Sequence, residues 1–224
     1  MITWNPNNKG NNVSLSNNNL TVCFSTSKNN VCSTEGKSNK GKYYMELTIG
    51  QSDNNYFVFG ICPMDSFISN DWLESSANSK IILAPQTTEK YLWDRENGKS
   101  YTDLTTQFLK GDIASLLIDL DNGLFKIYKN GNQVEKDIPI NDTSKEWCIV
   151  AGYHSSGRNG SIIANFGTTE FDIVTSNPEE WNRLKSEGYL PYDIDSADWY
   201  SLMLNLIKSN NKYYAYQNNE FIEV

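Results

Sequence analysis

Histidine is nearly missing from this chain: His154 is the only one in 224 residues. Four cysteines are present, Cys23, Cys32, Cys62 and Cys148, with no CxxC spacing among them. One imidazole and four dispersed thiols leave too few ligands for a zinc site, and neither metal nor cofactor is expected. Positive charge is scarce as well, with 19 Lys and Arg against 27 Asp and Glu for a net charge of -8. Nucleic acid and anionic membranes reward a basic face, so neither is expected as the main partner. No apolar run approaches the roughly 18 residues of a membrane span. The opening MITWNPNNKGNN lacks the basic start and apolar stretch of a signal peptide, so export by the ordinary secretory route is not expected. Strand-like neighbours such as Phe59-Gly-Ile-Cys62 and Trp147-Cys148-Ile-Val make the thiols read as buried and free, in a chain made in a reducing compartment.

What the chain does have is asparagine and short apolar runs. Paired Asn residues at 7-8, 11-12, 29-30, 54-55, 210-211 and 218-219 read as turn punctuation, because Asn tolerates left-handed backbone. Between such signals lie runs rich in β-branched and aromatic residues: Leu20-Phe24, Lys42-Gly50, Tyr56-Cys62, Lys80-Leu83, Ile113-Asp119, Leu124-Lys129, Glu146-Tyr153 and Ser161-Asn165. Regular short strands separated by Gly, Asn and Asp point to an antiparallel sandwich or barrel. In Lys42-Ile49 the residues Tyr43, Met45, Leu47 and Ile49 alternate with Lys42, Tyr44, Glu46 and Thr48, the pattern of one buried and one wetter face.

The corners of a meander are encoded directly. Asp121-Asn-Gly123 joins Ile113-Asp119 to Leu124-Lys129, and Asn130-Gly131 turns the chain again. After residue 175 the character changes. Asn177 is placed to cap a short helix, with Pro178 at its first position, Glu179 and Glu180 in the first turn and Gly188 at its stop. Leu190-Pro-Tyr-Asp193 reads as a linker. From Trp199 the helical spacing of Trp199, Leu202, Met203, Leu206 and Ile207 competes with strand alternation at Leu202, Leu204 and Leu206. Turn signals at 209-211 and 217-219 around Lys212-Tyr216 favour a small three-stranded meander.

The ordered segments resemble the SPRY domain family. The resemblance rests on Gly41-Lys-Tyr-Tyr-Met-Glu-Leu47, Phe59-Gly-Ile61, Trp93-Asp-Arg-Glu-Asn-Gly98 with Tyr101, and Gly111-Asp112 leading into Leu117-Ile-Asp-Leu-Asp-Asn-Gly123. Phe125-Lys-Ile-Tyr-Lys-Asn-Gly131 and Asn165-Phe-Gly167 complete it. It covers residues 20 to 175, although Ile113-Ala-Ser replaces the family's usual Val and Gly. It implies an all-β, two-sheet antiparallel β-sandwich of the concanavalin-like kind over 1-175. A helical connector at 176-198 and a small C-terminal β unit at 199-224 follow. It also implies a non-catalytic module that binds peptides or protein surfaces through a rim of loops. The stretch Leu206-Val224 is similar to small aromatic meanders in tail and receptor-binding proteins of phages infecting low-GC bacteria.

The candidate binding residues follow from loop position and side-chain chemistry. Gly152-Gly160 reads as a loop displaying Tyr153, His154 and Arg158, residue types that offer contact area and directional bonding. Trp93 reads either as core or, with Asp94, Arg95 and Tyr101, as part of a groove that the family uses. Asn30 and Thr34 align with another rim loop, and Trp72 lies in the long connection Pro63-Ser79, where an exposed ring would suit sugar stacking and a partly buried one would serve packing. Asp119 and Asp121 could serve as two carboxyls of a glycosidase or as metal ligands. The turn reading of the pair is preferred, because a turn Asp bonds its local backbone.

The expected function is that of a phage or phage-like tail component recognising a bacterial cell-surface glycan or protein, in a virion or tail-like particle and as a homo-oligomer in the assembly. The competitors are a cytoplasmic SPRY module binding a short peptide, and a glycan hydrolase of concanavalin-like fold.

Overall fold

The computed structural model describes residues 1-52, 56-83, 91-101, 106-134, 136-154, 159-194, 214-217 and 220-223. Along the chain run β1 (Trp4–Lys9), β2 (Val13–Ser16), β3 (Thr21–Phe24), β4 (Asn29–Ser33), β5 (Lys42–Ser52) and β6 (Phe57–Pro63). Next come β7 (Lys80–Leu83), β8 (Tyr91–Asp94), β9 (Lys99–Tyr101), β10 (Ile113–Asp119) and β11 (Leu124–Lys129). The short β12 (Asn132–Gln133) and β13 (Ile138–Pro139) precede β14 (Trp147–Tyr153) and β15 (Gly160–Asn165). Two helices, α1 (Ile173–Ser176) and α2 (Pro178–Ser186), lead to β16 (Tyr189–Pro191), and β17 (Tyr214–Gln217) pairs with β18 (Glu220–Glu223).

Two sheets make the all-β sandwich. The first has the order β1-β4-β14-β6-β7-β8-β9 and the second β12-β11-β10-β5-β15-β3-β2. Both hairpin corners of the meander form where the sequence encodes them: β10 and β11 pair from Asp119 opposite Leu124 to Ala114 opposite Lys129. Gly123 and Gly131 take positive φ, 64° and 77°, the conformation that such corners demand of glycine.

Alternation along β5 fills the core as expected, with Tyr43, Met45, Leu47 and Ile49 buried between the sheets. The other face of β5 is not wet, however. Tyr44 and Glu46 are also buried, because α1, α2 and the residues around them cover the outer face of the second sheet. Phe171, Ile173, Leu184 and Tyr189 pack there on Tyr44, Leu117 and Tyr128. The Asn177 side chain accepts the Glu180 N–H, Pro178 opens α2, and Gly188 follows it at φ 92°.

The stretch Leu190–Asp193 departs from the linker reading. Tyr189, Leu190 and Pro191 pair in parallel with Lys42, Tyr43 and Tyr44, while the Tyr192 hydroxyl donates to the carbonyls of Glu35 and Trp147. A run of mixed Pro and aromatic residues gives little strand signal, and the pairing exists only because β5 has an open flank beside it. Asn pairs 7-8 and 29-30 likewise lie inside β1 and β4, whereas 11-12 is a turn. Pairs 54-55, 210-211 and 218-219 lie outside the described residues, as does the first strand of the anticipated C-terminal meander. Among the described residues no helix is long and apolar enough to cross a membrane.

Candidate functional site

The outer face of the first sheet carries a second apolar layer, formed by Cys32, Val58, Cys62, Ile81, Cys148 and Val150 under Leu73. Leu73 belongs to the connection from β6 to β7, which contains only two single 3₁₀ turns, Met64–Ser66 and Leu73–Ser75. Asn30 fastens this connection: its Nδ2 donates to the carbonyls of Ile68 and Asp71, both at 2.8 Å, and its backbone N–H donates to Ser69 O at 2.9 Å. Lys28 adds an ion pair to Asp71 at 3.4 Å.

So held, the connection presents Trp72 and Glu74 to the end of β14. The His154 ring lies 4.5 Å from the Trp72 ring and 6.1 Å from that of Trp93, and its Nε2 is 2.8 Å from Glu74 Oε2. A carboxylate only accepts, so Nε2 carries the proton in this bond. Trp93 stacks in turn on Tyr91, with ring centroids 5.1 Å apart and planes 17° from parallel. These two residues are i and i+2 on β8, hence on one face of the strand. Lys28 Nζ lies 5.0 Å above the Trp72 ring. The result is a half-buried shelf, Tyr91–Trp93–His154–Trp72, edged by Lys28, Glu74 and Arg95. Arg95 Nε donates to Glu74 O at 2.7 Å, and its side chain borders a polar cleft of about 440 Å³ with Glu74, Ser75, Ser76, Ala77 and Asn78.

The structure brings His154, Trp72, Trp93 and Arg95 together and separates them from other candidates. Tyr153 is not displayed on a loop: it is fully buried, stacked on Phe24 and against Phe57, because β14 runs one residue short of His154 with Tyr153 facing the core. Asp94 does not face a groove. It is buried with Lys80 and accepts from the backbone and side chain of Asn97, closing the turn from β8 to β9. Asn30 is the buried anchor just described. Thr34, beyond the opposite end of β4, accepts from Thr3 N–H at 3.2 Å. The Tyr101 backbone pairs with Leu92, while its side chain and all of Arg158 lie outside the described residues. Tyr91, Glu74 and Lys28 join the site without having been singled out. Period-two spacing of Tyr91 and Trp93 is a signal for the first, but nothing local marks Glu74 or Lys28.

Asp119 is engaged within the hairpin corner, whereas Asp121 reaches from it to the backbone just before β5. Asp119 is buried, accepts from the backbone and side chain of Asn122, and pairs with Lys42 at 3.2 Å; Asp121 Oδ1 accepts the Gly41 N–H at 2.8 Å. Three of the thiols, Cys32, Cys62 and Cys148, are buried, but Cys23 is exposed on β3. Contact with Cys148 and burial push the Cys32 thiol up, and burial does the same for Cys148, which disfavours the thiolate in both. Among the described residues no group of three or more His, Cys, Asp or Glu side chains is placed to hold a metal ion.

The fold, two antiparallel sheets packed as a sandwich, is that of the SPRY domains. Among solved structures, this chain is similar to the SPRY domain of human HERC1 at 14% identity and a TM-score of 0.58, covering 75% of this chain and 99% of that one. The PSpry domain of TRIM65 matches at 13% identity and a TM-score of 0.55, covering 73% of this chain and 91% of that one. A human SPRY domain matches at 16% and 0.51, over 71% and 98%. No family model matches the chain, and no curated protein matches its sequence.

Proposed function

We propose that this chain is a non-catalytic recognition module, a component of a phage or phage-like tail that binds a bacterial cell-surface glycan or protein. The observation that carries the reading is the aromatic shelf. Four half-buried rings from β8, the end of β14 and the β6–β7 connection share one surface, with charged groups of both signs at its edge. Such a surface offers large apolar contact at little conformational cost together with directional bonding, the combination found at binding hot spots. The resemblance of Leu206–Val224 to aromatic meanders of phage tail proteins supports the tail setting. Display in several copies would multiply modest single-site affinity through effective concentration.

The test is binding of fluorescently labelled protein to intact low-GC bacterial cells and to their cell walls stripped of protein. Retention on stripped walls places the ligand among the glycans, and loss on stripping indicates a protein receptor. Trp72→Ala with Trp93→Ala should lower retention at least about tenfold, since hot-spot aromatics contribute more than 1 kcal/mol each. Absence of binding to both preparations refutes the surface-recognition reading and favours a module for short intracellular peptides.

A further inference from the structure

Lys80 lies inside the protein rather than on it. Its side chain and that of Asp94 are 0% exposed and that of Glu96 is 8% exposed. Lys80 Nζ stands 2.8 Å from Asp94 Oδ1 and 3.0 Å from Glu96 Oε2, with the Trp147 ring centroid 5.8 Å away. Lys80 and Asp94 are directly opposed across β7 and β8, so the backbone itself holds amine and carboxyl together. Both carboxyls are fixed in place: Asn97 donates to Asp94 through its backbone and side chain, and the N–H groups of Asn141 and Asp142 donate to Glu96.

We propose that Lys80 and Asp94 condense to an intramolecular isopeptide bond, with Glu96 as the proton relay. One amine shares a buried compartment with two carboxyls, both within 3.0 Å of Nζ. Transfer of a proton from the Lys80 ammonium to the Asp94 carboxylate yields a neutral amine beside a carboxylic acid, the reactive pair. The Nζ lone pair attacks Asp94 Cγ, and Asn97 Nδ2, bonded to Oδ2 at 2.8 Å, stabilises the negative charge developing on that oxygen. Glu96 takes the second proton from nitrogen and returns it to the departing oxygen, Oδ1. The Cγ–Oδ1 bond breaks, water leaves, and Glu96 ends as it began. The sum is an ammonium and a carboxylate converted to an amide and one water, with no oxidant, reductant or further reactant. The amide retains Oδ2 as acceptor for Asn97 and removes two buried charges, and the fixed approach of the reacting groups supplies the entropic advantage. The bond would fasten β8, which carries Trp93 and Tyr91, to β7.

Mass spectrometry of the purified full chain under denaturing, reducing conditions tests this. The expected mass is that of the sequence less one water. After trypsin, residues 43-90 should remain joined to 91-95 as one branched species, uncleaved after Lys80. Glu96→Gln should slow formation of the link by about 100-fold or more, the usual worth of a positioned acid–base group. A wild-type mass equal to that of the sequence overturns the proposal, and so does a water loss that maps anywhere other than to these two peptides.

Discussion

Replacing Asn30 with Ala should loosen one part of the protein while leaving the rest folded. The side chain makes two 2.8 Å hydrogen bonds to the carbonyls of Ile68 and Asp71, and it is buried between β4 and the connection it holds. Ala keeps the Asn30 backbone bond to Ser69 O but leaves both carbonyls without the amide. A stranded buried partner costs about 1–3 kcal/mol, and because Ile68 and Asp71 are only partly buried the sum for two is trimmed to about 2–4 kcal/mol. Since about 1.4 kcal/mol is tenfold in an equilibrium, opening of the connection should become about 30- to 700-fold more frequent. Native-state hydrogen exchange reads this directly. The amides of Ile68, Ser75 and Ser76, bonded to Ser76 Oγ, Trp72 O and Leu73 O, should lose protection by that factor. Amides of β14 between Trp147 and Ala151 should not follow. Unchanged protection at Ser75 and Ser76 would show that the buried Leu73 holds the connection without Asn30. Equal loss in β14 would show that the connection and the sheet open as one unit.

Other consequences follow from the outer layers and the hairpin corner. Leu184→Ala removes a fully buried side chain from beneath α2 and should cost about 2–5 kcal/mol in denaturant unfolding; a loss under about 1 kcal/mol would mean that the helical layer adds little to the core. Burial holds the Glu46 carboxyl above its ordinary value, against the pull of the Asp172 and Ile173 N–H groups. The folded chain therefore binds this proton more tightly than the unfolded one, so the stability it contributes is present below the ordinary glutamate value of about 4.3 and lost as pH rises through the raised folded value. The melting temperature of Glu46→Gln minus that of wild type should grow between about pH 4 and 7, and a constant difference would contradict the assignment. The wild-type protein should release no product from cell-wall glycans, because Asp119 is held by Asn122 within the turn and Asp121 by the Gly41 N–H just before β5. Turnover lost in Asp119→Asn or Asp121→Asn would establish the hydrolase instead.

Strands whose information is local could be read from the sequence, and strands that depend on a neighbour could not. Ile113–Asp119 and Leu124–Lys129 carry apolar content, and their corner needs the positive φ that Gly123 provides, so nothing distant is required to place them. The cap at Asn177 is local in the same sense. By contrast β1, with the sequence Trp-Asn-Pro-Asn-Asn-Lys, and β4, with Asn-Asn-Val-Cys-Ser, have turn-like compositions. Their pairing is settled by β14 and by the contacts that bury Trp4 and Val31. Short β16 is the extreme case, a three-residue strand that exists only against β5.

The site divides along the same line. A loop residue and a strand-end residue look alike in sequence, so nothing local tells Tyr153 from His154, yet the pleat sends one into the core and the other against Trp72. Asp94 and Arg95 part company in the same way, one closing a turn over Lys80 and the other reaching Glu74 O. Partners such as Glu74, which is 80 positions from His154, become visible only once the β6–β7 connection is laid across the sheet. That connection has little regular structure of its own, and its course is set by Asn30 and Leu73 rather than by its own propensity. The aromatic surface is therefore a product of packing on the outer sheet face, and a change at the buried Asn30 should displace its rings without touching them.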